Sequence, residues 1–306
     1  MFKIVTPFLA HLFFSCSKSQ TLDSEVKIMG GVKVHESSYS HQIKRKLLST
    51  VAISSVKELK GSKVFCTGSY YRDSFNGKTI DYVITASHCL VKDDKEAPEG
   101  KNIIPYEETK NLRVIFGEDS FDNKKSFKTK VLKTYVHPEY STGDTTGVDT
   151  DVNDVAILVL PSITPKVVSH LWGEVIVEPF GLKDVYRDKV QFNQPVIHSG
   201  FGIKNYGSLD SSGVLRLITN QIRAEVDYHH IQTYPIDYKF QSTCKGDSGG
   251  PSFVITGEEK LQQLGVHLGG EGFCDGESFD THLSPYVDWI QKTLEEHKVE
   301  RRWFSL

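Results

Sequence analysis

The chain has 306 residues, of which 38% are hydrophobic and 25% are charged, an ordinary composition for a soluble globular protein. Its 36 Lys and Arg residues against 39 Asp and Glu residues leave a formal net charge of -3. This balance gives no reason to expect a nucleic acid or an anionic membrane surface as a partner. No run of 18 or more apolar residues is present, so no membrane-spanning helix is predicted.

The first 16 residues are typical of an export signal. A short basic start at Lys3 precedes a mostly apolar stretch over residues 4–14. Cys16 follows the small residue Ser15, an arrangement that resembles the bacterial lipoprotein signal, whose cysteine is lipidated. Two fates of Cys16 stay open: a lipid tether to a membrane, or removal with the cleaved signal. We predict a secreted or extracytoplasmic protein in which the polar residues 17–27 form a tether or a propeptide.

Strand-like segments follow along most of the chain. Short apolar runs separated by turn residues and polar loops lie at 48–56, 64–70, 82–86, 112–117, 130–136, 155–160, 190–199, 214–222, 252–255 and 261–268. This density of short runs predicts an all-β protein. Helical spacing longer than a turn or two first appears at 286–294, which predicts a C-terminal helix over about 285–297.

The segment 242–251 is the most informative part of the chain. It places Ser248 between glycines and directly after Asp247. The glycines leave room for a substrate carbonyl to reach the serine hydroxyl, and they let the backbone N–H groups of Gly246 and Ser248 point at one spot. Such a pair of donors would bind an oxyanion.

Two further segments supply the groups that activate a serine. One strand-like run ends on His88, and Asp154 opens another. A serine hydroxyl is a poor nucleophile at neutral pH, so a base must take its proton. The imidazole of His88 suits that task because histidine titrates near neutral pH. Asp154 would fix the tautomer of His88 and stabilise the imidazolium that forms.

These motifs resemble those of the trypsin-like serine peptidases, and the resemblance covers about residues 28–292. It rests on threonine-alanine-serine-histidine-cysteine around His88, on an aspartate followed by alanine and aliphatics at Asp154, and on glycine-aspartate-serine-glycine-glycine-proline around Ser248. The chain order His88, Asp154, Ser248 is also that of the chymotrypsin branch. The resemblance implies hydrolysis of protein or peptide substrates through an acyl-enzyme, by a monomer without cofactor or metal. The alternative is a non-catalytic relative kept for binding, but such relatives usually lose a triad member.

The resemblance also implies the architecture. The family consists of two antiparallel β-barrels of Greek-key type with the active site in the cleft between them, followed by a helix. In this chain, the peptidase domain would span 28–306, with one barrel at about 28–160 and the other at about 185–285. The histidine and the aspartate then fall in the first barrel and the serine in the second.

Five cysteines in an exported chain leave one unpaired. The family pattern implies two disulfides, Cys66–Cys89 beside the histidine and Cys244–Cys274 across the specificity pocket. This pairing leaves Cys16 to the signal. Sequence alone allows three ways of pairing the other four cysteines.

The resemblance further implies activation by cleavage. Residues 28–31 resemble the mature N-terminus of the family, and Lys27 before them is a tryptic cleavage point. In the family the new α-ammonium, here that of Ile28, pairs with the acid beside the nucleophile, here Asp247. A buried carboxylate without such a partner is costly. We therefore expect an activating peptidase that cuts between Lys27 and Ile28.

Three residues near the nucleophile set the expected specificity. Ser242 stands at the pocket floor, where an aspartate would select Lys or Arg. Thr243 and His267 resemble the pair with which staphylococcal glutamyl endopeptidases bind the side-chain carboxylate before the scissile bond. A hydroxyl and an imidazolium suit a carboxylate because charge-assisted hydrogen bonds are strong. We predict cleavage after Glu, with Asp second.

Two other specificities stay open. If His267 is a packed strand histidine without a ligand, the pocket is chymotrypsin-like. If an acid of the neighbouring loop points into the pocket, basic residues are preferred. The acids of that loop are Glu271, Asp275, Glu277 and Asp280.

Overall fold

The protein is described from a computed structural model. The structure describes residues 31–60, 63–75, 77–93, 103–105, 107–122, 126–141, 152–163, 177–203, 212–225, 229–236, 242–257, 259–270, 274 and 276–303. The predictions for residues 1–30, which include Cys16, Lys27 and Ile28, lie outside the described residues. The same holds for Glu271 and Asp275.

Among the described residues the secondary structure is mostly β. The strands are β1 Val32–Lys33, β2 Thr50–Ser55, β3 Cys66–Phe75, β4 Lys78–Thr85, β5 Val91–Asp93, β6 Ile103–Pro105, β7 Leu112–Phe116, β8 Phe127–Lys130, β9 Lys133–Val136, β10 Ala156–Val159, β11 Pro195–Gly200, β12 Arg216–Glu225, β13 His230–Pro235, β14 Pro251–Thr256, β15 Lys260–Gly270 and β16 Ser278–His282. The α-helices are α1 His41–Leu47, α2 Val56–Lys60 and α3 Val287–Trp303. Short 3-10 helices cover Val34–Glu36, Ser87–Cys89, Thr109–Asn111, Leu182–Asp184 and Ser284–Tyr286.

The strands form two antiparallel units, which confirms the predicted all-β class. The first unit is a half-barrel of seven strands in the order β8-β7-β2-β3-β4-β10-β9. The second has the order β1-β12-β11-β14-β15-β16-β13, and pairing of β12 with β13 closes six of its strands into a barrel. Strands β5 and β6 form a separate pair. The limits drawn for the two barrels from the sequence remain a prediction. Val32 and Lys33, the first strand of the described residues, pair with β12 of the closed barrel.

Aliphatic and β-branched side chains explain why the central strands form and where they lie. All four residues of β10 and all six of β2 are buried, and such residues suit a strand that is covered on both faces. In β3, the first six residues are buried and the last four are partly or fully exposed. The sheet core therefore lies beneath the start of β3, close to the end of β4.

Phe180 joins the two units through its backbone and its ring. Its backbone N–H donates to the carbonyl of Tyr70 in β3 at 3.1 Å. Its ring is fully buried, stacks on Phe253 of β14 with centroids 5.1 Å apart, and lies 5.7 Å from the ring of Tyr71. The Tyr71 hydroxyl then donates to Gln263 of β15 at 2.9 Å. Aromatic packing and one buried hydrogen bond thus fix the two units against each other.

The C-terminal helix α3 runs farther than predicted. It reaches Trp303, whereas the sequence placed its end near residue 297. Residues 295–303 are rich in Glu, Lys and Arg and contain no Gly or Pro, so no stop signal interrupts the helix. Across the described part of the chain, no helix combines the length and apolar character that crossing a membrane demands.

The Phe180→Ala substitution should lower the free energy of unfolding by about 3–5 kcal/mol, because a fully buried ring leaves a cavity between the two units. Denaturant unfolding followed by fluorescence measures this loss. The control is Phe192→Ala, because that side chain is 69% exposed and its removal should change stability by less than about 0.5 kcal/mol. Equal losses in the two variants would contradict the role given to Phe180.

Candidate active site

The pairing of β4 with β10 brings His88 and Asp154 together. Thr85, the last residue of β4, pairs with Ala156, the first residue of β10. Because the strands are antiparallel, the residues that follow β4 and those that precede β10 emerge at the same edge of the sheet. The hydroxyl of Ser87 secures this edge by donating to the carbonyl of Val155 at 2.8 Å.

Asp154 holds His88 at two points. One carboxylate oxygen lies 2.6 Å from Nδ1 of His88, and the other accepts the backbone N–H of His88 at 2.8 Å. Asp154 is fully buried, whereas the side chain of His88 is 26% exposed. The ring is therefore fixed on one side and open on the other. In this arrangement Nδ1 carries the hydrogen and Nε2 is the basic nitrogen.

The loop that carries Ser248 is attached to the first unit through Thr67. The N–H of Thr67 donates to the carbonyl of Ser248 at 2.8 Å, and its hydroxyl donates to the carbonyl of Gly246 at 2.7 Å. Cys66, which precedes Thr67, forms the predicted disulfide with Cys89, and Cys89 belongs to the 3-10 helix that carries His88. Nucleophile and base are thus tied to the same end of β3.

Ser248 and His88 both lie close to the sulfur of Cys89. The sulfur of Cys89 lies 3.5 Å from the carbonyl oxygen of Ser248 and 4.0 Å from Nε2 of His88. Hydrogen bonds between a nucleophile and its base are often long without substrate and tighten when substrate binds. The placement therefore suits proton transfer from the Ser248 hydroxyl.

The backbone around Ser248 leaves two N–H donors unused. The N–H groups of Asp247, Gly249 and Gly250 all donate within the described residues, while those of Gly246 and Ser248 do not. Gly246 has φ +99°, a conformation that favours glycine. The two unused donors are those that the sequence assigned to an oxyanion site.

The same loop is bonded to His267 in β15. The N–H of Gly249 donates to the carbonyl of His267 at 2.8 Å, and the N–H of His267 donates to the carbonyl of Gly250 at 2.7 Å. These two hydrogen bonds hold the backbone of His267 against Gly249 and Gly250, the two residues that follow Ser248. The predicted wall of the specificity pocket is therefore attached directly to the nucleophile loop.

The other two pocket residues are buried beside the second predicted disulfide, Cys244–Cys274. The hydroxyl of Ser242 donates to the carbonyl of Gly276 at 3.1 Å. The hydroxyl of Thr243 shares a hydrogen bond of 2.8 Å with that of Ser278 in β16. Both hydroxyls thus bridge to the segment that follows Cys274, and neither residue introduces a charge.

His267 belongs to a buried cluster with Asp280 and His198. Its Nδ1 lies 3.2 Å from one carboxylate oxygen of Asp280, and Nδ1 of His198 lies 3.7 Å from the same oxygen. On the far side, Nε2 of His198 bonds to the hydroxyl of Thr233 at 3.1 Å. Their donor atoms lie within 4.8 Å of one another. His267 and Asp280 bond to each other, whereas Nδ1 of His198 and Oδ2 of Asp280 are buried without a hydrogen-bond partner in the described residues.

The pKa values in the cluster move in opposite directions. Burial lowers the pKa of His198, and the attraction of Asp280 offsets this only in part. For Asp280, burial favours the protonated acid, but the charges of His198 and His267 and the bond from His267 outweigh burial and lower the pKa. Asp280 is therefore a carboxylate in the core of the closed barrel.

Asp247 is a second buried carboxylate in the site. It accepts the N–H of Gly202 at 2.8 Å and that of Cys244 at 2.9 Å. Burial raises the pKa of Asp247 despite these two bonds. No Lys, Arg or His of the described residues lies within 4.0 Å of its carboxylate; Arg216 attracts it from a greater distance.

Two of the four acids that were considered for a basic specificity are already engaged. Asp280 bonds to His267, as described above, and is fully buried. Glu277 contacts Arg223 and accepts a hydrogen bond from Gln232. These pairings give both acids partners within the protein.

The sequence analysis missed Thr67, His198 and the part played by Asp280. Thr67 carries no catalytic group, and its importance comes from backbone bonds that a sequence does not display. His198 lies about 70 residues before His267 in the chain. The signal available in the sequence was the histidine of the strand-like run 190–199, directly after the apolar residues Val196 and Ile197.

Comparisons with known proteins agree with this geometry. The profile of the family Trypsin matches residues 28–290. Among solved structures, the chain is similar to neuropsin, a serine protease expressed in the limbic system of mouse brain. That match has a TM-score of 0.56 and 18% sequence identity, and covers 82% of this chain and 96% of that chain; at such identity it shows the fold alone. A comparison with curated proteins gave no significant match.

The Gly249→Ala substitution should disable the site. A methyl group there would lie 2.1 Å from Oγ1 of Thr85 and 2.6 Å from the carbonyl of Thr67, so the loop must move. Displacement of a reactive group by about 1 Å costs roughly 100-fold in rate, and acylation of Ser248 by a serine-directed phosphonate measures it. The matched control is Gly257→Ala, since Gly257 also has positive φ but nothing within 4 Å of the added carbon. That variant should lose only about 1 kcal/mol of stability, and equal labelling rates in both would refute the steric argument.

Proposed function

We propose, because this chain belongs to the trypsin family, that it is a serine endopeptidase in which Ser248, His88 and Asp154 form the catalytic triad. The observation that supports this most directly is the pair of hydrogen bonds between Asp154 and His88, at 2.6 and 2.8 Å, beside the loop of Ser248. A binding-only relative would not need a buried carboxylate to orient an open imidazole. The disulfides and the intact triad agree with an active enzyme.

The proposed reaction follows from the positions of these groups. Nε2 of His88 takes the proton of Ser248 as the hydroxyl attacks the scissile carbonyl. The N–H groups of Gly246 and Ser248 bind the oxyanion, and one such donor is worth about 2.7–4 kcal/mol. His88 then gives its proton to the leaving amine, and water releases the acyl group by the same route. Asp154 stays ionised and stabilises the imidazolium throughout.

The Ser248→Ala variant of the active enzyme should lose peptide hydrolysis by at least about 1000-fold, because the covalent intermediate can no longer form. It should also lose all labelling by a serine-directed phosphonate, which mass spectrometry of the labelled peptide measures. The control Ser74→Ala alters an exposed serine in β3 and should leave both peptide hydrolysis and phosphonate labelling unchanged. Turnover at the normal rate in Ser248→Ala would rule out this nucleophile.

We further propose that the enzyme cleaves after Glu, and after Asp second. The pocket residues Ser242 and Thr243 bring hydroxyls and no negative charge, and His267 brings a titratable cation. Nδ1 of His267 bonds to Asp280, so Nε2 is the ring nitrogen that would donate to a ligand. A charged imidazole binds a carboxylate better than any neutral donor does.

Cleavage-site profiling on a peptide library should show Glu before the scissile bond, with Asp next. His267→Gln should reduce kcat/KM for Glu substrates about tenfold or more, because a neutral amide replaces a charge-assisted hydrogen bond. Cleavage after Leu or Phe in the same variant should not change. A preference for Lys or Arg would point to the acids outside the described residues, and a preference for Phe, Tyr or Leu would make His267 a core residue.

We also propose activation by cleavage between Lys27 and Ile28. Asp247 is a buried carboxylate without a cation at bonding distance in the described residues, and Gly202 approaches it so closely that an added carbon would lie 2.5 Å from the carboxylate. Strand β1 begins four residues after Ile28 and pairs with Leu217 and Arg216 of β12. Arg216 in turn pairs with Gly200, which touches Asp247. The N-terminal segment thus enters the structure beside this carboxylate.

Two disulfides in a chain with an export-like start support a location outside the cytoplasm, where disulfides persist. Two N-termini are then expected. The active enzyme should begin at Ile28, and the uncleaved exported form should begin at Cys16 with lipid attached. N-terminal sequencing and intact-mass measurement of both forms test this. Full activity in a form with any other start contradicts the activation step, and an unmodified start beyond Cys16 contradicts the membrane tether.

A further inference from the structure

Three polar side chains from three strands meet inside the closed barrel: His198 of β11, His267 of β15 and Asp280 of β16. One carboxylate oxygen of Asp280 lies 3.2 Å from Nδ1 of His267 and 3.7 Å from Nδ1 of His198. All three side chains are more than nine-tenths buried. A polar atom in such a place costs free energy unless it has a partner.

The protein atoms around this cluster do not satisfy it. Nδ1 of His198, Oδ2 of Asp280 and Oγ of Ser252 are buried and make no hydrogen bond of normal geometry within the described residues. Ser252 belongs to the same place, because a carbon added to Gly265 would lie 3.0 Å from both its Oγ and Cβ of Asp280. Folded proteins rarely leave such atoms unpaired, and an ion is one explanation when they do.

No proton arrangement of His198 removes the mismatch. Its Nε2 bonds to the hydroxyl of Thr233 at 3.1 Å. If Nε2 donates in that bond, Nδ1 carries a lone pair that faces the carboxylate of Asp280, and two acceptors repel each other. If Nδ1 carries the hydrogen instead, the 3.7 Å to the carboxylate oxygen is too long for a hydrogen bond. A cation between the two atoms would bind both.

The residue types and distances suit zinc. Zn²⁺ takes imidazole nitrogens and carboxylate oxygens in a tetrahedral arrangement, whereas Ca²⁺ and Mg²⁺ prefer oxygen ligands alone. Two ligands of a tetrahedral zinc ion are about 3.3–3.6 Å apart, and the distances from Asp280 to the two rings are 3.2 and 3.7 Å. One donor atom from each of the three residues lies within 4.8 Å of the other two.

The surroundings of the three side chains also fit metal ligands. A histidine that binds a metal through one ring nitrogen usually donates the other N–H to a nearby oxygen, and Thr233 offers such an oxygen to His198. Metal ligands must be neutral imidazoles and ionised carboxylates. Burial lowers the pKa of His198, which favours its neutral form, and the two histidines lower the pKa of Asp280 despite its burial, which favours the carboxylate.

We propose that the closed barrel binds one zinc ion through Nδ1 of His198, Nδ1 of His267 and a carboxylate oxygen of Asp280. Oδ2 of Asp280 and Oγ of Ser252 are the oxygens at hand for the fourth position. The hydrogen on Nδ1 of His267 moves to Nε2, so the ring stays neutral and no proton is released. Because the ligands come from separate strands and are buried, the ion would bind as the barrel folds and would stabilise it.

Metal analysis tests the ion directly. The full chain carrying Ser248→Ala, which prevents self-digestion, is unfolded with a chelator, refolded with a slight excess of zinc chloride and dialysed against the chelator. We expect about one zinc ion per chain to be retained, since the proposed ligands are buried. Refolding with cobalt chloride should give the visible absorption of a tetrahedral ion. A folded chain that retains neither metal would overturn the proposal.

Two substitutions locate the ion. His198→Gln removes a nitrogen ligand and should abolish the retained zinc. Thr233→Val keeps the three ligands and the shape of the side chain but removes the oxygen that bonds to Nε2 of His198, so zinc affinity should fall about 10–100-fold. The matched control is His35→Gln, which removes an exposed histidine beside Glu118 and should leave the zinc content unchanged.

Three results would contradict the assignment: zinc retained in His198→Gln, unchanged zinc affinity in Thr233→Val, or zinc lost in His35→Gln. If His198→Gln does not fold, Thr233→Val still decides. The zinc content is measured on a chain without the nucleophile. Its outcome therefore stands apart from the proposed peptidase reaction and from the proposed cleavage after Glu.

Discussion

The active site depends on the way one loop is held between the two β units. The carbonyl of Ser248 accepts the N–H of Thr67 in the half-barrel, and the N–H of Gly249 donates to His267 in the closed barrel. Consecutive residues are thus bonded to different units. The position of the nucleophile is therefore set by the relative placement of the two units, and the stack of Phe180 on Phe253 supports that placement. A peptide loop of this length could not hold such a geometry alone, because each ordered residue costs backbone entropy of about 1–2 kcal/mol.

The sequence predicts the catalytic segments well because their chemistry is local. The glycines around Ser248, the end of a strand at His88 and the start of another at Asp154 are all visible within a few residues. The all-β class also follows from the short apolar runs. By contrast, Phe180 lies outside every predicted strand, yet it joins the two units. Its role arises from long-range packing, which no local pattern records.

The specificity site shows the same limit. His267 was found through its resemblance to the pocket histidine of the glutamyl endopeptidases, and Asp280 was seen only as one of four acids in a loop. The structure instead places Asp280 opposite His267 on the next strand, in the register His267↔Asp280. Counted from the loop between the two strands, Gly269 pairs with Phe279, and an irregularity then skips one residue so that His267 pairs with Asp280. A shift of one residue sends a side chain to the other face of a sheet, so the contact could not be read from spacing.

Two of the His–Asp pairs in the described residues share one geometry and differ in their surroundings. A carboxylate oxygen lies 2.6 Å from Nδ1 of His88 and 3.2 Å from Nδ1 of His267. Because an ionised carboxylate can only accept hydrogen bonds, it determines in each pair which ring nitrogen carries the hydrogen. The side chain of His88 is 26% exposed, whereas His267 is 4% exposed and its pair lies in the core of the closed barrel.

Asp247 extends this argument to activation. Its pKa is raised by burial, so it stabilises the fold while protonated and loses that contribution as pH rises through the raised pKa. An ionised Asp247 without a close cation would destabilise the fold. An α-ammonium placed there would lower the pKa again and restore the stability. The close approach of Gly202, where an added carbon would lie 2.5 Å from the carboxylate, keeps this position narrow. In the activation that we propose, this gain in free energy arises at the residue next to the nucleophile, so cleavage would act directly on the loop that carries the proposed oxyanion donors.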